Sequence, residues 1–477
     1  MTDCNVQNRT IFCDDNIDVL PGINSECVDL IYLDPPFNKN KKFTAPIGSS
    51  AEGAGFRDIF REEDVKDEWL VTIREDQPEL YHYLNGIRGV GNSYNFTYLA
   101  YMAIRLLECH RVLKPTGSIY LHCDPTMSHY LKALMDCVFG EDSFRNEVIW
   151  KRTSGHSDSR TMGSVHDVIF GYAASKLTSY NVQYVPYSED YVARRYRHAD
   201  PDGRRFMDDN LTAKGLQGGG YRYRYKGVDS LWRVPLEKME TLDRENRLYY
   251  TKRGGIRIKR YLDEMKGVPI GDLWTDIAPI NSQAREATKY PTQKPIALLR
   301  RILQAGSKDG DMILDPFCGC ATTCVAAEQL GRQWIGIDVS VKAYELVRMR
   351  LTREAADPGD LLKYRNEIHL RTDPPQRTDL GTDYRERKFV YVISHPSYPG
   401  EYKVGIAKNW KSRLNAYQTS DPDRRYRIEF KLETPTFRET ERHIHETFPN
   451  KHEWVHGDLK EIVAEIRAFQ EGGLNPT

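Results

Sequence analysis

A strand–helix rhythm that runs to about residue 150, stops, and resumes at Pro295 is the feature that most constrains how this chain folds. Thr10-Ile11-Phe12-Cys13 reads as a short apolar strand that leads into Asp14-Asp15-Asn16. Val28 to Leu33 is a second strand, and it runs directly into Asp34-Pro35-Pro36-Phe37. Leu99, Met102, Ala103, Leu106 and Leu107 recur at helical spacing, which predicts a helix over 98–113 stopped by Lys114-Pro115-Thr116-Gly117. A strand over 118–123 and an amphipathic helix over 128–139, closed by Gly140, follow. After the break come a helix over 296–305, a strand over 312–314, a glycine-bearing turn, a helix over 322–330, and a strand 334–337 that ends on Asp338. Such alternation predicts an α/β fold with a mostly parallel sheet covered on both faces.

The interruption differs in charge as well as in rhythm. The chain carries 68 basic and 68 acidic residues, but unevenly. Residues 1–150 hold 14 basic against 23 acidic, 151–290 hold 25 against 18, and the remainder 29 against 27. The middle also holds 13 of the 29 tyrosines, including Tyr221-Arg222-Tyr223-Arg224-Tyr225. A basic middle behind an acidic start suggests that the middle faces a polyanion. At 477 residues two to four folding units are expected. No apolar run approaches the ~18 residues of a membrane span, and Met1 to Thr10 is polar, so a cytoplasmic protein is expected. The nine cysteines form no disulfide framework and read as reduced thiols. Proline and charge over 357–387 suggest a linker, and a small α+β unit fits from Lys388 to the C-terminus.

Two turns carry chemistry. In Ile313-Leu314-Asp315-Pro316-Phe317-Cys318-Gly319-Cys320-Ala321-Thr322 a strand passes through a tight turn into a helix. Open α/β sheets bind nucleotide-like ligands at such turns. Gly319 lets the backbone approach a ligand, and Asp338, 23 residues after Asp315, can accept hydrogen bonds from both ribose hydroxyls. Cys318, Cys320 and Cys324 match no zinc spacing, so no metal is expected there. In Asp34-Pro35-Pro36-Phe37 two prolines fix an extended backbone and remove amide donors. A carboxylate, outward carbonyls and an aromatic face remain, which suit the amino group of a planar base. Asp34 can accept one amino hydrogen and the Pro35 carbonyl the other, while Phe37 stacks on the ring. The base must leave the duplex to reach such a pocket. Taken alone, the tetrapeptide is equally a proline-rich turn after a strand.

With Tyr290-Pro291-Thr292-Gln293-Lys294-Pro295, these two turns resemble those of the amino-type (N6-adenine/N4-cytosine) DNA methyltransferases. The order, catalytic loop first and cofactor turn last, resembles the β class. Leu113 to Ser118, Asn146 to Trp150 and Asp272 to Ile277 are similar too, so the resemblance covers roughly 10–350. It implies a Rossmann-like S-adenosylmethionine-dependent sheet built from 1–150 and 285–356, with a target recognition region over 151–284. It further implies catalytic roles for Asp34, Pro35, Pro36 and Phe37. Asp315, Phe317 and Gly319 would line the methionine end of S-adenosylmethionine, Asp338 its ribose, Asp15 its adenine, and Thr292, Gln293 and Lys294 its carboxylate. Methyl transfer of this type requires no metal. Asp at the head of the loop favours N6 of adenine, with N4 of cytosine as the alternative. Double-stranded DNA is the implied partner, and a restriction endonuclease partner and a homodimer are compatible with the family. Arg194-Arg195, Arg204-Arg205 and the run Lys252 to Arg260 are candidates for phosphate contacts, whereas the acidic stretch Asp58 to Glu79 is expected to avoid DNA or act as a mobile flap, with a solvated surface the favoured reading.

The C-terminal unit lies outside that pattern. Phe389-Val390-Tyr391, Lys403-Val404-Gly405, Arg413, Glu441, His445…Phe448 and Glu453-Trp454 resemble the GIY-YIG superfamily, in its phage-type DNA-binding branch. The resemblance implies a nuclease site of Tyr391, Arg413 and a Glu441 that would hold Mg2+, with Lys403 where the second tyrosine of the signature stands. The tail is then either a DNA-binding appendage or the cutting half of a combined restriction–modification enzyme. Histidines 443, 445, 452 and 456 suggest packing and surface roles more than zinc.

Overall fold

The computed structural model describes residues 3–154, 162–178, 180–213, 219–281, 283–354, 364, 367–379, 388–407, 410–418, 421, 423–434, 436–451 and 454–472. Its centre is a nine-stranded sheet. The strands are β1 (Thr10–Cys13), β2 (Val28–Leu33), β3 (Leu113–Cys123), β4 (Phe144–Lys151), β5 (His166–Ala173), β6 (Leu273–Trp274), β7 (Met312–Asp315), β8 (Gln333–Asp338) and β9 (His369–Arg371). Their spatial order is β6-β4-β5-β3-β2-β7-β8-β1-β9. Every neighbouring pair is parallel except the two that β5 makes with β3 and β4.

Alternate strand residues face opposite sides, as the two-residue period of a strand requires. Phe12, Ile31, Leu33, Ile119, Leu121, Leu314, Ile335 and Ile337 pack with Leu99, Met102, Leu106, Leu131 and Leu134 from the helices α1 (Ser93–Val112) and α2 (Ser128–Phe139). The other face is covered by α3 (Ile296–Gly306), α4 (Thr322–Gln329) and α5 (Lys342–Glu354). Gly306 of α3 lies against Leu30 and Tyr120, and Cys324 of α4 against Gly336 of β8. The expected two-sided α/β architecture is therefore present.

Two regions differ from expectation. The stretch read as one target region from 151 onwards contains β5, an interior strand of the sheet whose Val168, Ile169, Phe170 and Tyr172 are buried. A continuous apolar run of this kind is the mark of a strand covered on both faces. The compact separate unit is Val182–Gly271. The described part of the stretch read as a linker, 367–379, is attached to the sheet. His369–Arg371 pairs with Thr10–Phe12 as the edge strand. Asn24 accepts from the Thr378 amide at 2.8 Å, and Asp379 accepts from the Ser25 amide at 2.9 Å. Its charged residues serve pairing, which composition alone cannot reveal.

The Val182–Gly271 unit has a four-stranded sheet, a hairpin, and a core of Leu211, Tyr225, Trp232, Met239, Leu242, Leu248 and Ile256. The C-terminal segment forms a five-stranded antiparallel sheet in the order 427–434, 388–394, 401–407, 454–456, 450–451, with helices Trp410–Gln418, Phe437–Thr447 and Leu459–Gly472. Val390, Val392, Val404, Ile444, Val455, Ile462 and Ile466 are its core. Among the described residues no helix is long and apolar enough to cross a membrane, and all nine cysteines are free.

Candidate active site

The four middle-to-edge strands β2, β7, β8 and β1 lie side by side and parallel, so their carboxyl ends open on one side of the sheet. Each ends at or beside an acid. Asp34 follows β2, Asp315 ends β7, Asp338 ends β8, and Asp14-Asp15 follow β1. Register places Cys13 beside Asp338, Asp315 beside Gly336, and Leu314 beside Ile31. Residues some 280 positions apart in the chain thus share one cavity of about 670 Å³. Asp15, Asp34, Pro35, Pro36, Phe37, Thr292, Gln293, Lys294, Asp315, Phe317, Gly319 and Asp338 all line it.

The turn after β7 is tightly held. Gly319 has φ 50°, and a Cβ there would sit 3.1 Å from the Tyr290 ring, so glycine is favoured on both counts. Its amide donates to Asp338 Oδ2 at 2.9 Å, and the Ser340 amide donates to Oδ1 at 2.8 Å. Each Asp338 oxygen keeps a further lone pair for a ligand hydroxyl. Desolvation raises the Asp338 carboxyl to about 6. Asp315 is buried and pushed up to about 7 by that burial, although the Thr323 hydroxyl and the Phe317 amide, the latter at 3.1 Å, favour its ionised form. The fully buried Arg350 donates to the Cys320 carbonyl and the Thr322 hydroxyl, each at 2.9 Å, and so supports the turn from behind.

Asp15 caps the short helix Asn16–Val19 through the Ile17 amide, and it accepts from the fully buried Arg105 at 2.7 Å. The same guanidinium donates to Asn16, and Asn16 donates in turn to the Pro316 carbonyl at 2.7 Å. The exits of β1 and β7 are thereby tied together.

The catalytic-type loop is braced by residues that sequence reasoning did not single out. Asp58, from the stretch expected at the solvated surface, is buried and accepts the amides of Asn38 at 2.7 Å and Lys39 at 2.9 Å. Burial raises its carboxyl, and these amides oppose the rise. Behind Phe37 the His122 ring stacks at 5.9 Å between centroids and 25° between planes. Burial, and then the charge of Lys294, lower the His122 pKa, so the ring is neutral at neutral pH. The tautomer that satisfies both neighbours donates from Nε2 to Asp167 at 3.2 Å and accepts the Tyr32 hydroxyl at Nδ1, 2.9 Å away. Arg152 pairs with the other Asp167 oxygen at 3.1 Å. The clues in the sequence were a histidine in the apolar strand 118–123 and an aspartate at the head of an acidic run, neither of which names a partner.

Lys294 engages the Asp34–Phe37 loop. Its Nζ lies 2.7 and 2.6 Å from the two Asp34 oxygens and 5.1 Å from the centre of the Phe37 ring. Gln293 braces its own loop, accepting from Thr288 and donating to the Glu286 carbonyl, and the Thr292 hydroxyl donates to the Pro291 carbonyl. Of that trio, Lys294 alone brings charge to the Asp34 carboxylate. No cluster of three or more His, Cys, Asp or Glu able to hold a metal occurs among the described residues.

In the C-terminal segment, Tyr391 and Tyr417 share a hydrogen bond of 3.0 Å, Arg413 Nε donates to the Tyr391 oxygen at 3.2 Å, and Lys403 Nζ lies 4.5 Å over the Tyr417 ring. Three of the four residues nominated there are thus gathered. Tyr391 is buried, and burial raises its phenol pKa. Glu441 lies on the helix Phe437–Thr447, while His452 and Glu453 lie outside the described residues.

Comparison with known proteins follows the same division. Residues 28–349 match the family described as DNA methylase (N6_N4_Mtase), and residues 388–470 match the T5orf172 domain, so the tail is identified as that domain and not as GIY-YIG specifically. Type II methyltransferase M.EcaI from Enterobacter cloacae is 29% identical over 319 residues, 65% of this chain and 69% of that protein. The type III restriction-modification enzyme StyLTI Mod subunit from Salmonella typhimurium is 29% identical over 341 residues, 67% of this chain and 49% of that protein. The chain thus spans about half the length of the second. Among solved structures, a putative DNA modification methylase from Thermus thermophilus, TTHA0409, complexed with S-adenosyl-L-methionine, aligns at TM-score 0.36 and 13% identity over 77% of this chain and 99% of that one. With residues 28–349 matched, more than half of its length, this chain belongs to the DNA methylase family.

Proposed function

We propose that the chain methylates the N6 amino group of adenine within a defined sequence of double-stranded DNA, with S-adenosylmethionine as donor and the motif order of the β class. One observation carries the reading: the Asp34–Phe37 loop and the Asp315, Gly319 and Asp338 turn region line the same cavity. The residues fit the cofactor. The volume lies within the roughly 300–1,000 Å³ of small-molecule sites. Gly319 allows close backbone approach, Asp338 retains acceptor capacity for the ribose, and Asp315 offers a carboxylate to cationic groups. S-adenosylmethionine bound there supplies an electrophilic methyl group on a sulfonium sulfur.

The chain's own residues supply position. Asp34 accepts one amino hydrogen of a base turned out of the duplex and the Pro35 carbonyl accepts the other, which leaves the nitrogen lone pair aimed at the methyl. Phe37 stacks on the base and is itself backed by His122. Lys294 holds both Asp34 oxygens and fixes the direction in which the carboxylate accepts. Asp58 holds the far end of the loop. Aspartate at the head of the loop favours adenine over cytosine. The T5orf172 tail is read as a further DNA contact, supported by the Tyr391, Lys403 and Arg413 group. A partner endonuclease is inferred from the restriction-modification names of the relatives.

The test is to incubate unmodified DNA with the chain and methyl-labelled S-adenosylmethionine, then digest to nucleosides. N6-methyladenine is expected. N4-methylcytosine alone would overturn the choice of base, and absence of label from DNA would overturn the reading. Magnesium-dependent cleavage lost in Glu441→Ala would add nuclease activity to the tail.

A further inference from the structure

We propose that the hairpin Tyr221–Trp232 is the element that reads base edges in the DNA major groove, with Arg222 and Arg224 as its reading side chains. This rests on the proposed activity on DNA and assigns the recognition to particular residues.

The hairpin is tight and two-faced. Strands Tyr221–Tyr225 and Val228–Trp232 pair antiparallel, with Tyr225 opposite Val228. The two residues between them, Lys226 and Gly227, have φ of 42° and 85°. Positive φ at both positions is the two-residue turn that matches the twist of a tight hairpin. Alternation then sorts the side chains onto two faces. Tyr223, Tyr225 and Trp232 pack into the core of the unit with Met239 and Leu242. Their polar ends are satisfied within the unit: the Tyr223 hydroxyl donates to the Val234 carbonyl, Tyr225 to Asp243, and Trp232 Nε1 to the Tyr223 carbonyl. Arg222 and Arg224 alternate with these tyrosines, so they share the opposite face, and both are exposed.

Charge pairing separates these two arginines from several of the unit's other cations. Residues 182–271 contain 19 basic and 13 acidic residues. Arg204 pairs with Asp263 and Glu264, Arg247 with Glu264, Arg257 with Asp208, Lys259 with Asp200, and Arg260 with Asp209. Several residues that composition nominates for phosphate contact are therefore already neutralised. The side chains of Arg222 and Arg224 have no hydrogen-bond or ion-pair partner among the described residues.

Two arginines two residues apart on one ribbon face are separated by about 7 Å along the strand. The major groove admits a two-stranded ribbon, and a guanidinium there binds guanine O6 and N7 through two parallel hydrogen bonds. Asp229 stands opposite Arg224 in the register, on the same face. An acid at that place repels phosphate and can accept from the N4 amino group of a cytosine, which points to reading in preference to backbone binding. The recognition sequence is accordingly expected to contain guanine.

The experiment uses the full chain, its methylated sequence found by sequencing treated DNA, and duplexes carrying that site or each single-base change of it. Arg222→Ala and Arg224→Ala should each lower kcat/KM on the cognate duplex by roughly 10- to 100-fold. Each should also relax discrimination at one guanine position, with cofactor affinity and melting temperature unchanged. Arg257→Ala, whose partner is internal, should change discrimination nowhere. An equal loss on every duplex would show phosphate contact only and overturn the assignment, as would unchanged discrimination in both variants. If the unaltered chain methylates no defined sequence, the functional reading itself fails, a result distinct from failure of the hairpin alone.

Discussion

The strand-end cavity and the Val182–Gly271 unit are both rich in charge, but they hold it in opposite ways. In the cavity, Asp15, Asp34, Asp315 and Asp338 are delivered by four neighbouring strand ends, and burial shifts Asp315 and Asp338 far from ordinary carboxylate values. In the other unit, most charge is exposed and much of it is cancelled pairwise, as in Arg257–Asp208 and Arg260–Asp209. Charge held by backbone geometry against the cost of desolvation is a sign of chemistry, whereas a net basic count mixes working cations with paired ones.

If that contrast is right, disturbing the cavity should cost far more than disturbing the paired surface. Phe37→Ala removes the stacking face and should reduce kcat/KM on DNA by roughly 100-fold at the upper end of base–aromatic stacking, with cofactor binding intact. Steady-state kinetics beside a cofactor titration checks it. Asp58→Ala frees two loop amides and should lower kcat by about 10-fold and stability by about 1–3 kcal/mol. Comparable kcat values for the variant and the parent chain would show that the loop needs no clamp.

A smaller effect is expected from pH. Asp315, raised to about 7, is protonated in the folded chain between its ordinary value near 3.8 and 7, where the unfolded chain is already ionised. Its contribution to stability therefore falls as pH rises through that window and is level above it. Ionisation of Asp315 should in turn tighten binding of the cationic cofactor severalfold as pH climbs through about 7. Calorimetric titration across pH 6–8 should show that dependence in the parent chain and a much shallower one in Asp315→Asn. The smallest effect is on the surface: Arg257→Ala and Arg260→Ala should each cost about 0–1 kcal/mol of stability and change DNA affinity less than about 2-fold.

Much of the sheet was legible because apolar periodicity is a local signal. The strands at 10–13 and 28–33 and the helix at 128–139 are found where their patterns placed them. The acids at strand ends were legible for the same reason, since a parallel sheet brings carboxyl ends together whatever the separation in sequence. What was not legible depends on long-range partners. His122 gains meaning only between Tyr32 and Asp167, and Asp58 only beneath the amides of Asn38 and Lys39. Lys294 could be placed near the cofactor by resemblance, but its pairing with Asp34 is a matter of geometry. Strand His166–Ala173 was hidden for another reason: the basic composition of its surroundings outweighed a clear apolar run.

The central claim is that Asp34 acts on the amino group and not on the cofactor. The direct measurement is single-turnover methyl transfer by Asp34→Ala, with cofactor affinity determined on the same preparation. The account predicts cofactor binding within about 3-fold of the parent chain and transfer slowed by about 100- to 1000-fold, the scale of losing one aligned hydrogen-bond partner at a reacting centre. Transfer at the parent rate would contradict it.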